Sequence, residues 1–470
     1  MRRTAVSALL VLLLVSGLCA PLTRVVGKRS AFSAVATAPS KQDLTLLTYH
    51  GSLEVGAEAL AVQVLLHVLV KVKQRADGSF KVRTVTYAER PELAGKRTCI
   101  PTQAQGEDFA PSLTELSLTL EHEEGGAWQP LHLDELDVLQ VQGPFVHEAS
   151  VPENVAANEL RLRIMDWPIF YTISLPKLAD QNLYGPMLKD SGPFQNAMVI
   201  GDIHGGNPTT AAKVMATHMA HHFALGFDVY LLYVRGSGLS NAVKQNPVIS
   251  GYIDEGRLHI ISLDALQIPQ YDVGFREWAA YDPTKLIAYN HAALMLWGER
   301  FHLSVLDIDE LWSSQDEMTT VNTWFDRCFQ GSDIISAGRL DMVCKDCLKH
   351  SESEMHHFEK YWDASDPVEV LQSFSQVAGD SNDPKSIFNP DKVGQVWLHQ
   401  PSALPGSQTA HVAVNEDEYE SKQDCVFVVH LRNLFEKRIE DVDTAVGRRH
   451  WLVHRHRNNK NHISDGIVNV

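Results

Sequence analysis

Phe301-His-Leu-Ser-Val-Leu-Asp307-Ile-Asp309-Glu310 reads as a mainly apolar strand that ends in three carboxylates. Such a mainly apolar strand leaves a hydrophobic core before its acids begin. The flanking chain agrees with that placement. Ala197 to Gly201 is a short apolar strand. Asn207 is suited to cap a helix with Pro208 at its first position, and that helix runs through Met215 and Met219 toward Leu225 and stops at Gly226. Val229 to Val234 is a buried strand, followed by the turn Arg235-Gly-Ser-Gly238, and Leu258 to Leu263 is another strand. Asp282-Pro283 opens a second helix that runs to Trp297 and stops at Gly298. Strands alternating with helices after Pro186 predict an α/β domain over residues 186–447.

The acidic triplet carries the chemistry. Like charges this close repel, so burying them without a counter-ion is costly. A bound divalent cation resolves that cost, and carboxylate oxygens suit Mn²⁺ or Mg²⁺. An Asp-x-Asp at a strand end is how nucleotide-sugar transferases let a metal bridge carboxylates and a diphosphate. Alone the motif is weak, because acidic turns in solvent are common.

Residues 44–185 have another texture. Val62 to Val72, Phe80 to Tyr87, Leu116 to Glu121 and Glu159 to Met165 are strand-like, separated by turn signals such as Ala76-Asp-Gly-Ser and Glu124-Gly-Gly. They predict a β-sandwich-like module. A carbohydrate-binding and a purely packing role are both open for it. Before it, residues 1–26 read as an apolar N-terminal helix. Arg2 and Arg3 precede an uncharged stretch that runs to Arg24, long enough to cross a bilayer. A retained signal anchor and a cleaved signal peptide both fit, and either sends the body into the secretory lumen. Residues 27–43 read as a stem, and 448–470 as a basic tail.

The whole chain has 470 residues, 41 Lys+Arg against 58 Asp+Glu, and a net charge of −17. That balance argues against a nucleic-acid binder held by phosphate contacts. It does not set the oligomeric state. Six cysteines are too few for a disulfide scaffold. Cys344-Lys-Asp-Cys347 has half a zinc site's spacing with no second half, so a structural disulfide is the expectation, with Cys328 as a candidate partner. No Asn-x-Ser/Thr sequon occurs, since proline blocks Asn207-Pro-Thr.

Val199-Ile-Gly-Asp202-Ile-His204-Gly-Gly matches the opening motif of calcineurin-like metallophosphoesterases. The rest of a dimetal site does not follow. Gly379-Asp-Ser-Asn-Asp383 lies far downstream in a polar stretch, and no Gly-Asn-His exists. A turn between a strand and a capped helix explains Asp202 and His204 better.

Four ordered blocks resemble glycosyltransferase family 92, the group of plant β-1,4-galactan synthases and animal galactosyltransferases that act on core fucose. They are His218-Met-Ala-His-His222 with Leu225-Gly226 and the strand to Tyr233; Tyr289-Asn290 with the strand into Leu306-Asp-Ile-Asp-Glu-Leu311; Lys385-Ser-Ile-Phe-Asn-Pro390 with Val393 and His399; and Val428-Val-His430-Leu-Arg432-Asn433. The resemblance covers roughly Met198 to Arg457, more than half the chain. Lys285 stands where Gln is expected, His291-Ala292 where relatives carry Asp-Cys, and Leu431 in place of Tyr. These departures leave the donor sugar and acceptor open.

The resemblance implies a GT-A (Rossmann-like) nucleotide-sugar transferase domain and a metal-dependent, inverting hexosyl transfer. It implies a UDP-sugar donor, galactose favoured, and a glycan acceptor. Asp309, Asp307 and His399 are the implied metal ligands for Mn²⁺ (or Mg²⁺). Asp307 would also touch the ribose or a metal water, and Lys385 and Arg339 are candidates for pairing the diphosphate. The short stretch Val393 to Leu398 would deliver His399. Glu310 either orients the others or faces solvent. Inversion needs a base, and Asp333, Asp341 and Asp346 are unranked candidates. The implied location is the Golgi membrane, single-pass type II with a luminal domain, or secretion if the N-terminus is cleaved. A non-catalytic luminal carbohydrate-binding protein with a degenerate transferase domain is the rival class.

Overall fold

The computed structural model describes residues 45–55, 60–74, 79–89, 118–136, 145–151, 159–164, 170–174, 194–201, 207–263, 283–314, 319–344, 371–412, 425–432 and 434. The expected N-terminal helix and stem, the basic tail, Asp202, His204, Asp346 and Cys347 lie outside them. Among the described residues no helix is long and apolar enough to cross a membrane.

Among the described residues the first part of the chain forms nine strands: β1 (Thr45–Val55), β2 (Leu60–Gln74), β3 (Phe80–Glu89), β4 (Leu118–Glu124), β5 (Ala127–Leu131), β6 (Asp134–Glu135), β7 (Phe145–Val151), β8 (Glu159–Ile164) and β9 (Phe170–Ser174). They make two antiparallel sheets, ordered β1-β2-β3-β7-β6 and β5-β4-β8-β9. The β4–β5 hairpin turns on Gly125 and Gly126, with φ of 61° and 82°. Two consecutive left-handed residues are what a tight hairpin requires, and glycine adopts them without strain.

The second part follows as β10 (Gln195–Ile200), α1 (Pro208–Ala224), β11 (Val229–Val234), α2 (Ser237–Gln245), α3 (Pro247–Asp254), β12 (Leu258–Ser262), α4 (Pro283–Leu296), β13 (Phe301–Leu306), β14 (Glu310–Ser313), β15 (Ile334–Val343), β16 (Gln376–Phe388), β17 (Val393–Val396), β18 (Pro401–Ala403), β19 (Thr409–Val412) and β20 (Phe427–Leu431). Its main sheet runs β12-β11-β10-β13-β16-β15-β20-β14, with β19 also on β15. β10 to β13 are mutually parallel, and β16 returns antiparallel to β13. The protein is thus mixed α/β, as expected. β10, β11 and β13 are buried at every residue, apart from half-buried Gln195. Their apolar side chains divide between one layer under α1 and another under α4.

Helix α1 begins as the sequence suggests: the Asn207 side chain accepts from Thr209 N–H, and Gly226 follows the helix with φ of 91°. The turn expected at Arg235–Gly238 is instead the start of α2, with Gly236 at its N-cap, and Asn246-Pro247 opens α3 by the same Asn-Pro capping. The polar stretch Gly379–Asp383 lies inside β16 and pairs with β15 across a bulge. Cys328 pairs with Cys425 rather than with the Cys344-x-x-Cys347 segment, and Cys344 is disulfide-bonded separately.

The β-rich part is fixed to α4 by buried cations. Lys71 Nζ on β2 donates to the carbonyls of Met295 (2.5 Å) and Trp297 (2.8 Å), which end the helix. Arg83 on β3 stacks over Trp297 and donates to Pro390 O and Val393 O, while Glu148 on β7 neutralises it. Leu69, Val85 and Val146 pack on Leu294 of α4.

Candidate active site

β13 ends at Leu306 on the side where its parallel neighbours also end, the usual ligand side of an open α/β sheet. Asp307 and Asp309 sit on the turn between β13 and β14, closed by Glu310 N–H on Asp307 O. Their side chains are about a third to a quarter exposed, at 30% and 26%. Glu310 begins β14 and is fully buried. It takes the orienting role: Oε2 accepts the Asp307 N–H at 3.0 Å, and Oε1 accepts from Arg339 Nη1 at 2.8 Å.

The sheet register explains which side chains meet. β14 pairs with β20 so that Glu310 lies opposite His430, and β20 pairs with β15 so that His430 lies beside Asp341. On the other side Ser304 pairs with Ile387; continuing that register puts Lys385 beside the end of β13. Lys385 is 1% exposed. Its three N–H groups go to Glu310 (2.9 Å), Asp307 Oδ2 (3.3 Å) and the Leu398 carbonyl (3.2 Å). Lys285, from the first turn of α4, reaches Asp307 Oδ1 at 2.6 Å. On the far side, His430 Nε2 is 3.6 Å from Asp309 and Nδ1 is 2.9 Å from Asp341, which Arg432 also approaches.

This network sets the charge states. Burial pushes Asp307 toward protonation, but the two lysines outweigh it and hold the carboxyl well below its ordinary range. Burial alone would lower the Lys385 ammonium, yet Asp307 and Glu310 keep it above its usual value. His430 is disfavoured as a cation by burial, and the carboxylates of Asp309 and Asp341 beside it nevertheless raise it to about 9. His399 moves the other way, because burial and the Lys385 charge favour its neutral ring. Its Nδ1 is buried with no hydrogen-bond partner among the described residues.

Three histidines hold the turn's far end. Among the described residues β14 pairs with β20 alone, so its other edge would present bare backbone groups. His218, His221 and His222 share one face of α1 and cover it. His218 donates to Glu310 O (2.9 Å), His221 to Trp312 O (2.7 Å), and His222 Nε2 accepts the Trp312 N–H (3.1 Å). A similar clamp joins α4 to β17, where Asn290 brackets both the N–H and the carbonyl of Val396, just before His399.

The sequence candidates therefore fall into two groups. Asp307, Asp309, Glu310, Arg339, Lys385 and Asp341 come together, with His399 close enough to feel the Lys385 and Glu310 charges. Asp333 does not; it sits at the start of β15, accepting from Gln408 N–H. Sequence reasoning gave no role to Lys285 or His430. Lys285 stood out only as a departure, and His430 only as part of a block.

A family model for glycosyltransferase family 92 matches residues 208–461, more than half of the chain. The chain belongs to that family and is a glycosyltransferase, as its four sequence blocks implied. Among solved structures, it is similar to the galactosyltransferase LgtC in complex with donor and acceptor sugar analogs, at 10% identity over 54% of this chain and 97% of that one, with a TM-score of 0.26. An active-site mutant of LgtC gives 11% identity over 54% and 97%, with a TM-score of 0.25. The bifunctional glycosyltransferase WbbM, in its apo form, gives 10% identity over 43% and 32%, with a TM-score of 0.19. No curated protein matches the chain.

Proposed function

We propose that the protein is a metal-dependent, inverting GT-A hexosyltransferase that moves a hexose, galactose favoured, from a UDP-sugar to a glycan acceptor. The observation that carries this reading is the Asp307–Asp309 turn. Two partly exposed carboxylates stand at the carboxyl end of a parallel strand, paired with buried Lys385 and His430 and part-exposed Lys285.

The donor set suits Mn²⁺ in kind: two carboxylates, and an imidazole that is held neutral and has an unsatisfied buried nitrogen. Asp309, Asp307 and His399 would hold the ion. Among the described residues no three such side chains converge as a ready metal centre. Asp307 is turned instead to Lys285 and Lys385. When bound, the ion would neutralise charge developing on the departing diphosphate. The chain's own residues keep the turn in place. Glu310 fixes the Asp307 backbone, Lys385 and Arg339 neutralise Glu310, and His430 orients Asp309 against Asp341.

The secretory setting rests on the N-terminal segment and is supported by the Cys328–Cys425 disulfide, which suits an oxidising compartment. We assign the protein to the Golgi membrane as a single-pass type II protein, with secretion as the alternative. The test is a panel of UDP-sugars with Mn²⁺, read by thermal stabilisation and by UDP release. One UDP-hexose should stabilise the protein and be consumed. Stabilisation by none, with Mn²⁺ present, contradicts the reading.

A further inference from the structure

Residues 390–399 connect the β-rich part to the site. At their start, Arg83 Nη1 on β3 donates to the carbonyls of Pro390 (3.0 Å) and Val393 (3.2 Å). In the middle, Asn290 of α4 accepts the Val396 N–H at 2.9 Å and donates to the Val396 carbonyl at 2.7 Å. At their end, the carbonyls of Leu398 and His399 accept from Lys385 (3.2 Å) and Ser386 (3.4 Å) on β16. Lys385 also holds Asp307 and Glu310. The segment therefore spans from a buried cation of the β-rich part to a buried cation of the site.

Arg83 is placed to fix that course. It is 3% exposed, and its guanidinium lies over the Trp297 ring at 4.7 Å. Nε and Nη2 both donate to Glu148 Oε2, at 3.3 and 3.1 Å. With one edge of the rigid plane locked on Glu148, Nη1 is aimed in a single direction, at the two carbonyls. The same turn is pinned where Asp391 accepts the Gly298 N–H (2.6 Å) and pairs with Lys73 of β2 (3.3 Å). A buried ion pair adds little net stability over packed apolar side chains of similar size. Leu69, Val85 and Val146 on Leu294 already seal this contact. What Arg83 adds is direction. Lys71 joins the same two parts differently, since its hydrogen bonds go to Met295, Trp297 and Glu299 at the end of α4.

Resting on the proposed role of the Asp307–Asp309 turn, we propose that Arg83 is a positioning residue for the transfer. From the β-rich part it sets the course of residues 390–399, and through the Leu398 carbonyl it sets where Lys385 stands against Asp307 and Glu310. The β-rich part is then a working piece of the transferase and not an appendage to it.

The test compares Arg83→Lys with Lys71→Met in the full chain. Each is assayed for UDP release with the donor found in the panel, for melting temperature, and for amide hydrogen exchange by mass spectrometry. Both variants weaken the join and should melt below wild type. Arg83→Lys keeps the charge and loses the fork. While still folded it should lose roughly 10- to 100-fold in kcat, as a small misplacement far from the chemistry does. Its kcat/KM should fall by the same factor, because the loss is of geometry and not of donor affinity. Peptides covering residues 393–400 and 383–388 should exchange faster. Lys71→Met should keep the wild-type kcat and show faster exchange at the end of α4 alone. Arg83→Lys with the wild-type kcat overturns the inference and leaves the site standing, and so does an equal kcat loss in both variants. Glu148→Gln covers the case in which Arg83→Lys does not fold. It leaves Arg83 in place, frees its fork, and should show the Arg83→Lys pattern in weaker form; a wild-type kcat and exchange pattern in Glu148→Gln then overturns the inference. A wild type that consumes no UDP-sugar overturns the reading of the site and this inference together.

Discussion

The two ends of α4 use lysine for opposite purposes. At the C-terminal end Lys71 donates to the Met295 and Trp297 carbonyls, where a helix has unsatisfied acceptors and a negative dipole end. Burial lowers Lys71 to about 8, with Glu299 partly restoring it, so it remains mostly an ammonium at neutral pH. At the N-terminal end Lys285 sits against the dipole and is held by its ion pair with Asp307. One lysine completes the helix and seals the β-rich part onto it. The other is tolerated there because of what it faces. Stability and activity are therefore expected to separate along a single helix.

Lys385 marks the upper limit of that contrast, since it serves both. Lys385→Met leaves Glu310 buried beside Arg339 with one cation fewer, and losing one partner of a buried ion network costs about 3–5 kcal/mol. Chemical denaturation should show that loss together with loss of transfer. Acid attacks the scaffold from another side. His291 on α4 is pushed down to about 3 and His218 on α1 to about 4, in both cases chiefly by burial. The unfolded chain takes up these protons below about 6.5 while the folded chain refuses them, so stability falls as pH drops from 6.5 toward 4. Each such histidine contributes at most about 1.4 kcal/mol per pH unit. Melting curves across that window should fall steadily; a flat profile would mean these rings are not buried neutral.

Lys71→Met should cost about 1–3 kcal/mol, because helix-end carbonyls lose a buried donor. The kcat per folded molecule should hold, since Lys71 touches no part of the site. Lys285→Gln should shift stability by only about 0.3–1 kcal/mol, in either direction, while changing the rate of transfer. A large stability loss in Lys285→Gln, or a kcat loss in Lys71→Met, would erase the distinction between the two ends.

Much of this site was legible because it is local. The run Phe301–Leu306 is buried throughout and the acids follow at once, so strand, turn and carboxylates share one short segment. The partners were harder. Arg339 and Lys385 were visible as cations, but their common anion, Glu310, is recognisable only once β14, β15, β16 and β20 are laid side by side. β16 hid itself: Gly379-Asp-Ser-Asn-Asp-Pro384 is a polar stretch, and its proline argues against a strand. The bulge against β15 accommodates it. The spacing of His218, His221 and His222 on one helical face was a usable sign of a shared target, though nothing local identified that target as the β14 backbone.

The central claim is that the Asp307–Asp309 turn performs the transfer, and Asp309→Ala tests it most directly. The measurement is Mn²⁺-dependent UDP release from the donor found in the panel, alongside a melting curve. Asp309→Ala should lose about 10²–10³-fold in kcat, the scale on which one oriented electrostatic contact to the departing group counts. Its melting temperature should stay near that of wild type. Transfer that survives at the wild-type rate in a folded Asp309→Ala protein contradicts the account.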